Sequence, residues 1–545
     1  MQMKRRDFLA LGGAVGANLV LPAKWAGAQT TGQTAGQTAA PSRDNILRVL
    51  SEGAANSFDT FSVGVNRNAM QITWNIYDRL VRFAYKDRGD GTAIYDYFDI
   101  QPELAESWEI SQGGKAITFY LRRDAVFHDG NPVTAADVKW SLDRVVASPI
   151  GKAQFTTGSM TDPEQFVVID DHTLRIDLPQ PDRFALPNLA LPYPIIVNSR
   201  LALEHATDGD PFAMEWLQAN PAGGGPFQLA RADMGERILF QRFADWKSGP
   251  LPGFEQVLWQ TVPAAENRVA ALLKGDADVA QDLAPKDVQD LLDNDTVKVV
   301  GVPTSTFQLV GMNSRMQPFD DVRVRQAVAW ALPYDAMFQA ALFGRGEPLF
   351  GGTPGAPETT RFPQPLGYST DPDRARALLA EAGLADGFDT TFSYELSLAT
   401  VAEPVALLLQ ESLGKIGIRV TIDKVPAGQL GTLLQEKKVP FFFEASISYL
   451  TDPDYFFRVF YSGETRWNFG SYQNPEFDAL VEKTRFETDQ ATYDADVRTM
   501  IEMVKRDVPV IMLWNPSLDT GMQKTVENYS YSFHRQLDFR PLARG

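Results

Sequence analysis

From Asp371 to Trp514 the chain switches repeatedly between helical and strand periodicity, and no other feature restricts its fold as much. Asp371-Pro372 opens a helix through RARALLAEAG that stops at Gly383, since proline suits the first helical turn and glycine the left-handed residue just past the last. A helix carrying Leu407 to Leu413 breaks at Gly414 before the strand GIRVTI. NPEFDALVEKT and the stretch from Ala491 to Arg506 read as helices, and VPVIMLW as a buried strand. Such alternation predicts an α/β fold with parallel strands, in which a ligand sits at strand ends and between lobes.

The first half reads differently. ILRVL (Ile46 to Leu50) is strand-like, and Met70, Trp74, Tyr77 and Val81 recur at helical spacing in AMQITWNIYDRLVRF. Ile117, Phe119 and Leu121 alternate with polar residues, as do Leu174, Ile176 and Leu178, which predicts half-buried strands. Thr134 with Asp137 forms a capping-box start for a helix carrying Val138, Leu142 and Val145. At 545 residues and 44% hydrophobic, the chain is long enough for two to four domains or lobes.

Composition removes several functions. A net charge of −18 argues against a nucleic-acid partner, because no basic surface would replace condensed counterions. The absence of cysteine excludes disulfides, thiolate metal sites, Cys nucleophiles and a lipid-modified N-terminal Cys. His128, His172, His205 and His534 show no metal or triad spacing, so no metal, cofactor or catalytic residue is assigned. Gly223-Gly224-Gly225-Pro226 lacks the Gly-Lys-Ser/Thr of a phosphate cradle and reads as a turn or a crossing between lobes. His128-Asp129-Gly130-Asn131-Pro132 reads as a tight turn, and Phe441-Phe442-Phe443 as a buried strand.

Lys4, Arg5 and Arg6, the apolar run Phe8 to Leu21, and Ala26-Gly27-Ala28 form a signal peptide cleaved after Ala28. Paired arginines before Asp7-Phe8-Leu9, a glycine-rich middle and Lys24 resemble a twin-arginine export signal, which implies folding before export. Its removal subtracts a net +3 and takes −18 to −21. Residues 29–43 are a low-complexity linker, and no later segment offers an uninterrupted apolar run of membrane-spanning length. The expected product is soluble in the periplasm and is not a lipoprotein.

QPELAESWEISQGGKAITFYLRRDAVFHDGNPVTAADVKWSLDRV, residues 101–145, closely resembles the signature region of the oligopeptide- and dipeptide-binding proteins of ABC importers, solute-binding family 5. GGGPFQLARADMGERILFQRF, ENRVAALLKGDADV, MNSRMQPFDDVRVRQAVAWAL, DPDRARALLAEAGL and the region from TDPDYFF to NPEFDALV follow in the family's order, so the resemblance spans residues 44–545. It implies a two-lobed periplasmic-binding-protein fold of type II with an extra β-rich subdomain. Lobe I would comprise 44–88, 211–311 and 513–545, with the insert at 89–210 and lobe II at 312–512. It further implies a monomer that closes on a small solute and presents it to membrane permease subunits, with no chemical change.

Peptide-binding members carry an aspartate four residues before the Asp-Pro proline, which pairs with the peptide ammonium, and a Trp three residues earlier. Here those positions hold Tyr449 and Ser446. A phenol cannot replace a carboxylate opposite a desolvated ammonium. Hydroxyls and an aromatic ring suit a sugar, an opine-like conjugate or another polar solute, unless Glu444 or Asp452 serves instead. The resemblance places Gly64, Val65, Asn66, Phe155, Asn267, Ser446, Ser448, Tyr449 and Trp514 at or near the ligand, although a Trp after a buried strand is more often core. The competing functions are an exported hydrolase with convergent carboxylates in the cleft, and a periplasmic sensor or chaperone using an acidic surface.

Overall fold

The computed structural model describes residues 43–62, 64–352, 359–426, 428–532 and 536–545. The export signal, the linker before Arg43 and His534 lie outside the described residues.

Two sheet halves share one strand. In the first half, Ile46–Ser51 runs parallel to both Gln256–Thr261 and Val279–Ala280. Arg237–Arg242 and Phe227–Asp233 extend that edge antiparallel. In the second half, Phe388–Glu395 runs parallel to Ile418–Val425 and Phe441–Ile447, the arrangement that helix–strand alternation predicts. Val510–Gln523 belongs to both halves, pairing with Thr306–Met312 at its start and Val297–Pro303 at its end. The chain therefore passes between the halves at Thr304–Ser305 and again near Pro516.

These pairings move the expected lobe boundaries. Thr306–Met312 hydrogen-bonds to Phe441–Ile447, so it sits with the second half rather than ending the first. Phe307 and Leu309 pack into one core layer of that half, and Val310 and Met312 into the other. Burial on both faces explains the apolar run and ties the strand to the helices around it. Leu513 and Trp514 lie in the same second-half core, before the crossing.

The insert carries an antiparallel sheet of Ala105–Ser111, Ala116–Leu121, Phe166–Asp170 and Thr173–Asp177. Helix Ala135–Ala147 covers it through Val138, Leu142 and Val145. The Asp137 carboxylate accepts the Thr134 backbone N–H and also the Ser199 hydroxyl, so the cap doubles as a tie to a second helix start. Two buried charge clusters secure the insert. Glu103 accepts from Arg79 at 2.9 Å and Arg540 at 2.6 Å, and Arg540 also pairs with Asp538. Asp59 pairs with Arg144, both buried.

Three local expectations change. The helix Arg67–Ile76 ends before Tyr77, and Val81 starts the strand Val81–Asp87. The reason is a substitution of partners: the Gly225 N–H takes the Ile76 carbonyl, which a continuing helix would have used internally. The triple glycine is thus a crossing inside the first half, pressed between Ile76–Tyr77 and Val126–Phe127, rather than between lobes. A Cβ on Gly223 would lie 2.0 Å from the Ile76 oxygen, so close backbone approach explains the glycine. Helix Ala399–Gly414 includes Gly414, the break coming at Gly417 with φ +89°. With the preceding turn, that helix is long and apolar enough for a membrane span by length and composition, although Glu403 and Glu411 interrupt its apolar run. Its Ala402, Val405, Ala406, Leu409 and Leu413 are buried in the second-half core. The turn at Asp129-Gly130 and the buried strand through Phe441–Phe443 are as expected, with Gly130 at φ +86°.

Candidate functional site in the cleft between the lobes

The insert and the second lobe face each other across two connected chambers. The first, of about 600 Å³, begins at the crossing segments Pro303, Thr304, Ser305 and Asn515, and is walled by Tyr95, Asp96, Glu347, Ser448 and Thr451. The second, of about 980 Å³, lies beyond it between Ile100, Ile117, Arg183 and Leu186 on the insert and Asp452, Arg485, Phe486 and Tyr493 on the second lobe. Tyr97, Phe98, Arg361 and Thr451 border both. Phe98, 75% exposed, stands where the two chambers meet.

Strand alternation explains this wall. In Thr92–Pro102 the aromatic residues Tyr95 and Tyr97 turn toward the insert core, where Phe83 packs on both at 5.5 Å. Across the cleft, the segment after Ile447 leaves its sheet at the end of a parallel strand, which frees Ser448 to Asp452 for the opposing lobe. Leu450 and Tyr455, both from the second lobe, are buried in the insert's own core cluster. Tyr95 and Thr451 hydroxyls meet at 3.0 Å, the Tyr193 hydroxyl donates to Tyr449 at 3.1 Å, and Phe184 meets Tyr455 edge-on at 6.1 Å. The two lobes are therefore closed on each other.

Asp452 is a buried acid on the wall of the second chamber, which Arg183, Arg361 and Arg485 also line. Burial pushes its carboxyl up to about 6, although it accepts from the Tyr493 hydroxyl at 2.5 Å and lies 3.9 Å from Arg183. Glu444 is also pushed up by burial, to about 7, but it borders neither chamber. Of the two acids considered as substitutes for the missing aspartate, only Asp452 reaches the cleft. No cluster of His, Asp and Glu suited to a metal occurs among the described residues.

The candidate residues divide. Val65 and Tyr449 both pack against the cluster that contains Phe61 and Tyr193, and neither borders either chamber. Ser448 borders the first chamber, with its hydroxyl donating to the Leu450 carbonyl at 2.5 Å. Ser446 is half-buried in its strand and borders neither chamber. Gly64 is an exposed turn residue at φ +76°. Asn66 caps its helix, accepting from Ala69 N–H at 2.9 Å while donating to the Ala54 carbonyl at 2.8 Å, so its side chain is spent on structure. Phe155 is fully buried in the insert core, and Trp514 is fully buried against Phe338 with its Nε1 bonded to Gln308. Asn267 is exposed on the helix Ala265–Leu273, outside both chambers. For Phe155 and Trp514 the expected ligand contact gives way to core packing, because a large ring recovers more free energy fully enclosed than at a wet surface.

Tyr95, Tyr97, Phe98, Arg183, Arg361 and Arg485 were missed. The aromatic run Tyr95-Asp96-Tyr97-Phe98, more apolar than a half-solvated strand needs, was the available signal; the arginines had none.

Residues 99–468 match the family model for bacterial extracellular solute-binding proteins, family 5 Middle. The chain is 27% identical to the probable D,D-dipeptide-binding periplasmic protein DdpA of Escherichia coli K12, over 86% of this chain and 89% of that one. Among solved structures it is similar to the periplasmic binding protein DppA of Helicobacter pylori in complex with the peptide STSA, at 25% identity and TM-score 0.70, covering 92% and 98% of the two chains. It is also similar to AgaA of A. tumefaciens R10 in complex with agropinic acid, at 25% identity and TM-score 0.67, covering 92% and 99%. With two lobes closed around a cleft and the family match over most of its length, the chain belongs to the bacterial extracellular solute-binding proteins of family 5 and is a two-lobed substrate-binding protein.

Proposed function

We propose that this protein is the periplasmic receptor of an ABC importer, exported folded through a twin-arginine signal as a soluble monomer without a lipid anchor. It captures a polar organic solute between its lobes and delivers it, chemically unchanged, to membrane permease subunits. The solute is an opine-like conjugate, a sugar or a similar compound rather than a common di- or tripeptide. The observation that carries this choice is the Tyr449–Tyr193 hydroxyl pair at the position where peptide-binding members present an aspartate. A free ammonium there would meet phenols, and Asp452, three residues along the chain and on the wall of the second chamber, is already engaged by Tyr493 and Arg183. Removing water from a cation without an anionic partner costs several kcal/mol, on the order of the whole binding free energy of a micromolar ligand.

The relatives named above include binders of a peptide and of agropinic acid, so both chemistries occur on this fold. Native mass spectrometry of protein purified from its own host is expected to show a co-purifying small molecule, with calorimetry then giving saturable binding and no turnover. Nanomolar binding of di- or tripeptides that depends on their free amine would overturn the choice of solute.

A further inference from the structure

We propose that Arg183 and Arg485 form a reciprocal clasp across the cleft that holds the lobes shut and sets how long a captured solute stays. Arg183 reaches from the insert to the second lobe. Its guanidinium carbon lies 3.4 Å over the Tyr493 ring, and its Nη groups approach Asp452 at 3.9 Å and the Glu487 carbonyl at 3.5 Å. Arg485 reaches the other way, donating to the Thr156 carbonyl at 2.7 Å and pairing with Asp182 at 3.5 Å. Asp182 and Arg183 are neighbours in the chain, as are Arg485 and Glu487 within three residues, so each side offers one arm and one socket.

The sockets are built in advance. Asp182 is fixed by the Ser159 hydroxyl at 2.6 Å and the Phe184 N–H at 3.0 Å, and Asp452 by Tyr493 from its own lobe. Both arginine side chains keep about a fifth of their surface exposed, at 21% and 20%, so opening would return them to water without unfolding either lobe. Position gives the clasp its influence. The crossing segments border the first chamber and not the second, whereas both arginines border the second. A contact far from the hinge resists a given rotation with the longest lever arm, and it is broken early on opening. Planar guanidinium groups suit the role, because they stack and donate in several directions while remaining charged.

This inference rests on the receptor opening and closing about its crossing strands, and the test separates the two. The chain has no cysteine, so Lys152→Cys on the insert and Thr499→Cys on the second lobe, both exposed, take spin labels cleanly. Pulsed-dipolar distances on the ligand-free protein are expected to show a short-distance closed population beside a longer one. In the Arg183→Ala, Arg485→Ala double variant the closed-to-open ratio should fall by about five-fold or more, the scale of a few partly exposed charge and cation–π contacts. Raising NaCl from 50 mM to 1 M should lower that ratio in the wild-type arginine background and leave the double variant nearly unmoved, a readout that needs no destabilising substitution. Two exchanging distances whose ratio ignores both the variant and salt would overturn the clasp while leaving the receptor intact. A single distance under all conditions would overturn both.

Discussion

The three glycines at 223–225 give a graded test of why the first lobe holds its shape. None has positive φ, so alanine at these positions meets crowding rather than backbone strain. At Gly224 the new Cβ would lie 3.1 Å from the Val126 oxygen and 3.3 Å from the Phe127 ring, needing shifts of a few tenths of an ångström. At Gly225 it would lie 2.7 Å from both the Ile76 carbonyl carbon and the Tyr77 nitrogen, and it would also loosen the Gly225 N–H bond to Ile76 at 3.1 Å. At Gly223 the distance to the Ile76 oxygen is 2.0 Å, and the same residue's carbonyl accepts from His128 N–H. Overpacking costs about 1–3 kcal/mol and sometimes more, a lost hydrogen bond about 1, and the stiffer unfolded chain returns about 0.4–1. Expected losses are therefore under about 1 kcal/mol for Gly224→Ala, about 2–3 for Gly225→Ala, and about 3 or more for Gly223→Ala. Equilibrium urea unfolding followed by tryptophan fluorescence measures all three. Equal losses, or Gly224→Ala as the worst, would refute close backbone approach as the reason for the motif.

Asp78 is buried, accepts from Trp246 and Ser248, and is pushed up to about 7 by burial. Because the folded state holds that proton more tightly than the unfolded chain, stability should fall as pH rises from about 4 through 7, and Asp78→Asn should flatten this slope in denaturant midpoints taken across that window. Glu103 joins two buried arginines, so Glu103→Ala should cost about 3–5 kcal/mol in urea unfolding, with a loss under about 1 kcal/mol contradicting a buried network. Trp514→Phe should cost about 1–3 kcal/mol by stranding the Gln308 oxygen, yet leave the affinity for a co-purified solute unchanged by calorimetry. A double-mutant cycle of Tyr193→Phe and Tyr449→Phe should show coupling of about 0.5–1.5 kcal/mol in unfolding free energies, and additivity would deny the pair across the cleft.

Much of the architecture was legible because it rests on short-range rules. Asp371-Pro372 and Gly383 bracket their helix, Thr134 and Asp137 cap theirs, and the alternation at Ile117 to Leu121 and Leu174 to Leu178 marks the insert's strands. Tyr77 and Val81 kept helical spacing without being helical, since a partner about 150 residues away took the carbonyl that would have extended the helix. Of the site, the family resemblance placed Tyr449 at the ligand but gave no sign of its Tyr193 partner, and it set Phe155 and Trp514 near the ligand, where the structure buries both rings, as the strand before Trp514 already suggested for that residue.

Composition and periodicity by themselves determined an acidic, cysteine-free α/β chain, and the order of its motifs carried the resemblance that implied a two-lobed binding protein, because each of those signals is held by neighbours along the chain. Only the tertiary structure decided where the lobes divide, that Asp452 rather than Glu444 reaches the cleft, and that Arg183 and Arg485 face one another. Those facts depend on residues some 270 to 300 positions apart meeting across a gap, and no local preference of either partner encodes the meeting.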